Sequence, residues 1–297
     1  KSSRQLLNNW TKSWLMVLLA GSATAAWAQG DYPYCQILDR VDEPAWQAHI
    51  GFVDSSRVEA PDGESFRQQQ VRGGGGLFFW RTAVGDIDLA GAYDVTFYDG
   101  SGGVGLPDKT AALRLDAGYV WRYWDGSALK LNVYPGLYSD LEDPGLDDLA
   151  MPLQVLGIQA FNPQVSGVLG VALYPGFDRA FDPRFGIRCA LSDQWSVDVM
   201  YPESRLLYRP IENWDLYAGL RNEAVAEFQL EDDDSRDTYR YEETRAYVGL
   251  NAPVSTEVRA MVRLGWILNR AVDFGRTQPA RDVEDALFLQ VGIGGTL

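Results

Sequence analysis

The stretch from Thr256 to Asn269 alternates so regularly that few folds remain open to it. Val258, Ala260, Val262, Leu264, Trp266 and Leu268 form one apolar row, and Glu257, Arg259, Arg263 and Asn269 lie on the other face with Met261, Gly265 and Ile267. Side chains of a strand alternate with a period of two, so a strand here has one greasy face and one charged face. If the greasy face meets lipid, a one-residue slip carries Arg259 and Arg263 into hydrocarbon at about 2 to 4 kcal/mol each near the midplane. That penalty sets the register, and the segment reads as one stave of a transmembrane β-barrel.

The composition fits. Glycine (30 residues) and aromatic residues (12%) are plentiful, as in all-β proteins with many turns and interfacial rings. Apolar residues make up 46% of the 297, yet after residue 28 no run reaches the 18 or so apolar residues that a membrane helix needs. At the start, Lys1, Arg4 and Lys12 precede the apolar run Trp14 to Ala20, and Ala26-Trp27-Ala28 has the small-x-small form of a signal-peptidase site. Residues 1–28 are therefore expected to be a secretory signal peptide, 29–44 a periplasmic N-terminal segment, and 45–297 the barrel. The formal net charge of -15 argues against nucleic acid as a partner. Cys35 and Cys189 could pair in an oxidising compartment, but Cys189 also falls on the apolar row of Phe185, Ile187 and Leu191 and reads more simply as a small hydrophobe facing lipid.

Alternation recurs along the chain. From Gly85 to Tyr98 the odd positions Ile87, Leu89, Tyr93, Val95 and Phe97 are apolar, and from Lys109 to Trp124 the apolar row runs through Leu113, Leu115, Tyr119 and Trp121. Further strands are expected at Ala45 to Val53, Gln68 to Thr82, Ser127 to Ser139, Pro152 to Phe161, Ser166 to Tyr174 and Arg184 to Leu191. Gln194 to Tyr201, Ser204 to Arg209, Asn213 to Glu231, Thr238 to Leu250 and Glu284 to Leu297 complete the set. Many of these exceed the usual 5 or 6 residues of a soluble strand and approach the roughly 9 to 11 that cross a bilayer at a tilt. Short and long links alternate, with Asp54 to Arg67 and Arg270 to Val283 among the long ones. The fold expected is all-β, a closed antiparallel up-and-down transmembrane barrel of about 14 strands with both termini at one end. Pro202-Glu203 is too short for its place among the long links, and if its flanking strands are loop pieces the count becomes about 12. Gly73 to Gly76 inside a strand marks a bend or a close backbone approach, since no Lys-Ser/Thr pair follows to make a phosphate loop. Aromatic residues near strand ends, including Trp80, Tyr98, Trp121, Tyr123, Trp124, Trp195, Trp214 and Trp266, fit interfacial girdles.

Met200-Tyr201-Pro202-Glu203-Ser204-Arg205-Leu206-Leu207-Tyr208, Trp214-Asp215-Leu216-Tyr217-Ala218-Gly219, Arg245-Ala246-Tyr247-Val248-Gly249-Leu250 and Gly265-Trp266-Ile267-Leu268-Asn269-Arg270 follow one another in an order and spacing that resemble a family of Gram-negative outer-membrane β-barrel proteins of unknown function. The resemblance covers the last half of the chain. It implies a closed barrel in the cell outer membrane, and it brings no catalytic residues.

Charged residues on the inward rows are the candidate functional groups. Asp94, Arg114, Asp116, Arg122, Arg221, Glu223, Glu227, Arg245, Arg259 and Arg263 are expected to line a pore, where their field would select solutes by charge and size. The expected function is a porin-like passive channel for small solutes. The alternative is a non-conducting structural or surface-adhesive barrel held together by paired charges. An outer-membrane enzyme is remote, because the one histidine, His49, has no neighbouring nucleophile motif. Expected partners are outer-membrane lipid and lipopolysaccharide, the barrel-assembly machinery during biogenesis, and small solutes. No cofactor is called for. The acidic runs at Glu231 to Asp234 and Asp140 to Asp148 lack the spacing of a calcium loop and read as solvated loops.

Overall fold

The structure is a computed structural model that describes residues 46–57, 65–82, 85–99, 107–124, 126–142, 144–175, 177, 180–224, 228–232, 235–274 and 278–295. The expected signal peptide and the segment after it lie outside these residues, as does Cys35. Among the described residues, no helix is long and apolar enough to cross a membrane.

Fourteen antiparallel staves close into one barrel. They are β1 (Trp46–Arg57), β2 (Ser65–Arg81), β3 (Gly85–Asp99), β4 (Lys109–Trp124) and β5 (Ser127–Val133, resumed at Gly136–Ser139). A single turn of 3-10 helix, Leu146–Asp148, leads to β6 (Leu149–Ala150, then Leu153–Asn162). β7 (Val165–Leu173), β8 (Phe181–Ala190), β9 (Trp195–Tyr201) and β10 (Glu203–Tyr208) follow. The last four are β11 (Asp215–Ala224, with Phe228–Asp232), β12 (Ser235–Pro253), β13 (Val258–Phe274) and β14 (Gln278–Val283, then Ala286–Gly295). Closure is made by β1, which pairs with β2 on one side and with β14 on the other, Ile50 standing opposite both Val71 and Val291. Both ends of the described chain therefore lie at one rim, here the terminal rim. The opposite rim carries the longer links.

Two faces follow from the register. On β13, Leu264 and Trp266 are 51% and 57% exposed, whereas Met261 and Ile267 are 8% and 0% exposed. The apolar row points out of the barrel, and the row holding Arg259 and Arg263 points in. The same division runs round the wall: Leu113, Leu115 and Trp121 of β4, Ile187 of β8, Leu216 and Leu220 of β11 and Leu289 of β14 all stand exposed on the outer face. Cys189, a free thiol, belongs to the outward row of β8.

The structure corrects three details. Tyr98 is buried, with its ring centroid 6.1 Å from that of Phe66, so it belongs to the interior and not to a girdle. Arg270 to Val283 is not a plain loop. β13 runs on to Phe274 and pairs with Gln278–Val283. The sequence of this hairpin carries no long apolar row, and alternation is enforced only where one face must avoid water. Ser65–Arg81 likewise starts before the expected strand.

Pro202 alone joins β9 and β10, and both are true staves, which makes the count fourteen and not twelve. They are also the shortest simple staves, at 7 and 6 residues. Pairing of β8 with β9 ends at Phe185 opposite Tyr201, and pairing of β10 with β11 ends at Glu203 opposite Arg221. The wall is therefore low in this sector, and Glu203 sits on its lip.

Close strand approach depends on glycine at β13. A Cβ on Gly265 would stand 2.1 Å from the Ala246 carbonyl oxygen and 2.8 Å from Tyr247 Cα, both backbone atoms that cannot swing aside. Gly265→Val is expected to prevent closure, so the purified chain should lose the difference in gel mobility between unboiled and boiled samples that a folded barrel gives. Leu264→Val, on the outward face beside it, should keep that difference.

Candidate functional site: the charged interior

Inward side chains form discrete clusters. At the terminal rim, Asp86 of β3 accepts hydrogen bonds from both terminal nitrogens of Arg122, one at 2.9 Å, and lies 3.5 Å from Arg81 Nε. Across the barrel, Asp215 accepts from Arg209 Nε at 3.1 Å and from Arg259 Nη2 at 2.6 Å, and Arg259 also donates to the Asn213 carbonyl. Between these, Arg188 grips Asp198 through Nε at 2.7 Å and Nη2 at 2.9 Å, with Arg205 3.9 Å away. Two-pronged guanidinium contacts of this kind are directional and strong.

Further in, Arg263 donates to the Tyr217 hydroxyl at 3.0 Å, and its guanidinium carbon lies 5.5 and 5.4 Å from the centroids of the Tyr217 and Tyr247 rings. Tyr247 donates to Glu203, which lies 3.9 Å from Arg221. Tyr217 and Tyr247 lie flat because glycine faces each of them. A Cβ on Gly219 would come within 2.5 Å of the Tyr247 ring, and one on Gly249 within 2.4 Å of the Tyr217 ring. The glycines of β11 and β12 are thus seats for each other's tyrosines, and the two rings hold Arg263 by cation–π attraction. His49 also faces inward, 3.0 Å from Gln47 Oε1.

On the β2 to β5 side, Arg72 pairs with Asp94 at 2.6 Å, and Gln70 donates to the same carboxylate. Arg114 donates to Asp116 at 2.8 Å and lies over Tyr134. Toward the far rim the interior is packed. Arg270 bonds the Tyr241 hydroxyl and Gln68 and is sandwiched between the rings of Phe66 and Tyr241, each 5.1 Å from its guanidinium carbon. Glu243 accepts from Tyr241 and from Arg245, which itself lies over Phe288. This knot joins β2 to β12, β13 and β14, which are not all neighbours, and so braces the barrel across its inside.

Asp94, Arg114, Asp116, Arg122, Arg221, Arg245, Arg259 and Arg263 occupy the inward face, but in separate clusters and not in one ring. The backbone of Glu223 pairs with Glu243 on the inward row, though its side chain is not among those described, and Glu227 lies outside the described residues. Sequence reasoning missed Arg81 and Arg270 for one reason. A register shift at Gly76/Phe78 moves Arg81 inward, and another between Glu242 and Thr244, beside Asn269 with its φ of 48°, does the same for Arg270. An extra residue on one strand reverses the parity beyond it. The glycine run signalled the first of these; nothing in the sequence marks the second.

Among the described residues, no three His, Cys, Asp or Glu side chains are grouped to hold a metal ion. Asp140 and Asp148 of the acidic far loop accept backbone amides instead, from Glu142 and Gly145, each at 3.1 Å.

No protein-family profile matches the chain, and no curated protein does. Solved structures do. A crystal structure of an outer-membrane channel from Pseudomonas putida F1 is similar at 14% identity and a TM-score of 0.44, covering 90% of this chain and 98% of that one. The P. putida toluene transporter TodX is similar at 8% identity and 0.38, over 92% and 95%. The KdgM porin is similar at 11% and 0.30, over 82% and 96%.

The Tyr247 to Glu203 bond tests the cluster at the low wall. A hydrogen bond to a charged group is worth about 1.5 to 3 kcal/mol, so Tyr247→Phe should lower stability by that amount in urea unfolding of the protein in lipid vesicles. Gly219→Val, which displaces the same ring, should cost at least as much.

Proposed function

We propose that the chain is an outer-membrane β-barrel acting as a porin-like passive channel for small solutes. The observation that carries this reading is the division of one closed wall into an exposed apolar outer face and a charged inner face. A closed barrel satisfies its backbone hydrogen bonds internally, which is the condition for crossing a bilayer with strands. Lipid and lipopolysaccharide then cover the outer face. The barrel-assembly machinery inserts the chain after export, and the longer loops face the exterior. Passage is set by the width and charge of the interior, with Asp94, Arg114, Asp116, Arg122, Arg221, Glu223, Glu227, Arg245, Arg259 and Arg263 as its polar wall. No catalytic step is part of this reading.

A second reading is supported by the Arg270 knot. Arg270, Tyr241, Glu243 and Phe66 are all buried, so the far half of the interior is partly filled by side chains. A barrel occluded there would be a structural or adhesive element. Planar-bilayer recording on the purified chain separates the two: discrete conductance steps are expected of a channel, and a silent membrane at every voltage supports the occluded barrel.

The outer face has its own test. Leu264→Arg is expected to destabilise the barrel in lipid vesicles by about 2 to 4 kcal/mol, the cost of a charged side chain near the midplane. No loss of stability would place that face against water.

A further inference from the structure

The far mouth is closed by a second, smaller ring. β5 and β11 lie on nearly opposite sides of the barrel, yet their far ends meet: Gln229, in the Phe228–Asp232 part of β11, pairs with Ser139 of β5, and the two strands run parallel. Neighbouring staves of the wall are antiparallel, so this contact is an extra one. Above the low wall at β9 and β10, the nine staves from β11 to β14 and from β1 to β5 close on themselves as a collar. A ring of alternating strands with an odd number of members must contain one parallel pair, and β5 with β11 is that pair. Ser139 and Asp140 end a stave at the rim and are nevertheless only 2% and 3% exposed, in keeping with a covered seam.

Ring size sets what can pass. A ring of about eight strands is just wide enough for its own side chains to fill, whereas wider rings leave a passage. The nine-stave collar falls near the first limit, and Phe66, Gln68, Tyr98, Tyr241, Glu243 and Arg270 are buried at its level. These six stand on β2, β3, β12 and β13. The seam between β5 and β11 lies on the other side of the collar, so parting it returns the mouth to the spacing of the fourteen-stave wall without undoing the Arg270 knot.

The seam is also the weakest join in the molecule. Even the shortest pairing between staves, β9 with β10, runs over four residue pairs, and the described register of the seam is the single pair of Gln229 with Ser139. Parallel pairing is slightly less stable per residue than antiparallel. The parallel sense also sets two acidic runs side by side, since Glu231 and Asp232 follow Gln229 as Asp140 and Glu142 follow Ser139, and like charges on adjacent strands repel. Segments held by so few bonds are the ones that open locally. We propose that the seam between β5 and β11 is the gate of the channel: closed, it holds the filled nine-stave collar, and open, it joins the lumen to the exterior. The inference rests on the channel reading above and assigns its moving part.

The test locks and unlocks the seam. In a cysteine-free background, Ser139→Cys with Gln229→Cys places one thiol on each strand. Paired residues on neighbouring strands stand about 4.8 Å apart, within the roughly 4.4 to 6.8 Å between Cα atoms that a disulfide spans. Oxidation of the purified full chain with diamide should form that disulfide, read as the loss of two hydrogens by mass spectrometry, and lower the planar-bilayer conductance about tenfold or more; dithiothreitol should restore it. Gln229→Pro acts in the opposite sense. Gln229 is paired on both sides, with Thr238 and with Ser139, a place in a sheet that proline does not take, so this variant should conduct more than the unchanged chain. Gel mobility before and after boiling shows which variants are folded, and the cross-link decides if Gln229→Pro is not. A disulfide that leaves conductance unchanged, a folded cysteine pair that does not cross-link, or a folded Gln229→Pro that conducts no more than the unchanged chain overturns the gate and leaves the channel intact. Silence in every form, the folded Gln229→Pro included, overturns both.

Discussion

Every peptide group in a barrel wall must find its hydrogen-bond partner in the next stave, because neither lipid nor a packed interior supplies one. That constraint explains why β1 is bonded on both sides, and why the register must hold over the whole circumference. It also gives the side chains their freedom. With the backbone satisfied in the ladder, the outer row needs only to be apolar and the inner row only to find partners for its charges. The wall tolerates irregularities where a neighbour still completes the ladder. Asn222 donates to the Pro202 carbonyl, so the low lip at β9 and β10 ends with its hydrogen bonds made.

Charge burial governs the interior. A guanidinium or carboxylate inside a low-dielectric wall is costly unless it is paired, and losing one partner of a buried pair typically costs about 3 to 5 kcal/mol. The chain meets this cost in three ways. Asp86, Asp198 and Asp215 each recruit two arginines; Arg263 is held by two tyrosines seated on glycines; Arg270 is enclosed by Phe66 and Tyr241 and bonded at both ends. These devices join staves that are distant in sequence and brace the barrel from within. The far half of the interior is the more filled, by the buried side chains of Phe66, Tyr241, Glu243 and Arg270.

How much of this was legible in the sequence depended on what enforces each pattern. β3, β4 and β13 could be read residue by residue, because an apolar row against a charged row is a constraint on every position. The hairpin beyond Asn269 could not, since its sequence carries no long apolar row. Tyr98 was misplaced for a related reason: an aromatic residue near a strand end suits a girdle and an interior contact equally, and only the register against Phe97 and Thr96 separates them. The inward charges were visible as charges. Their grouping was not, because it depends on cross-strand register, which sets Arg188 and Arg205 directly opposite Asp198 on its two sides, and on bulges that turn Arg81 and Arg270 inward.

In a channel of this kind one row of β13 meets lipid and the other meets the aqueous interior. Nitroxide scanning tests it most directly, with single cysteines placed in turn from Arg259 to Ile267 in a cysteine-free background and the protein reconstituted in lipid. Collision with oxygen, which concentrates in lipid, should peak at Ala260, Val262, Leu264 and Trp266. Collision with a water-soluble nickel chelate should peak out of phase, at Arg259, Met261 and Arg263. Two profiles in phase with each other, or chelate access on the row of Leu264, would contradict the account.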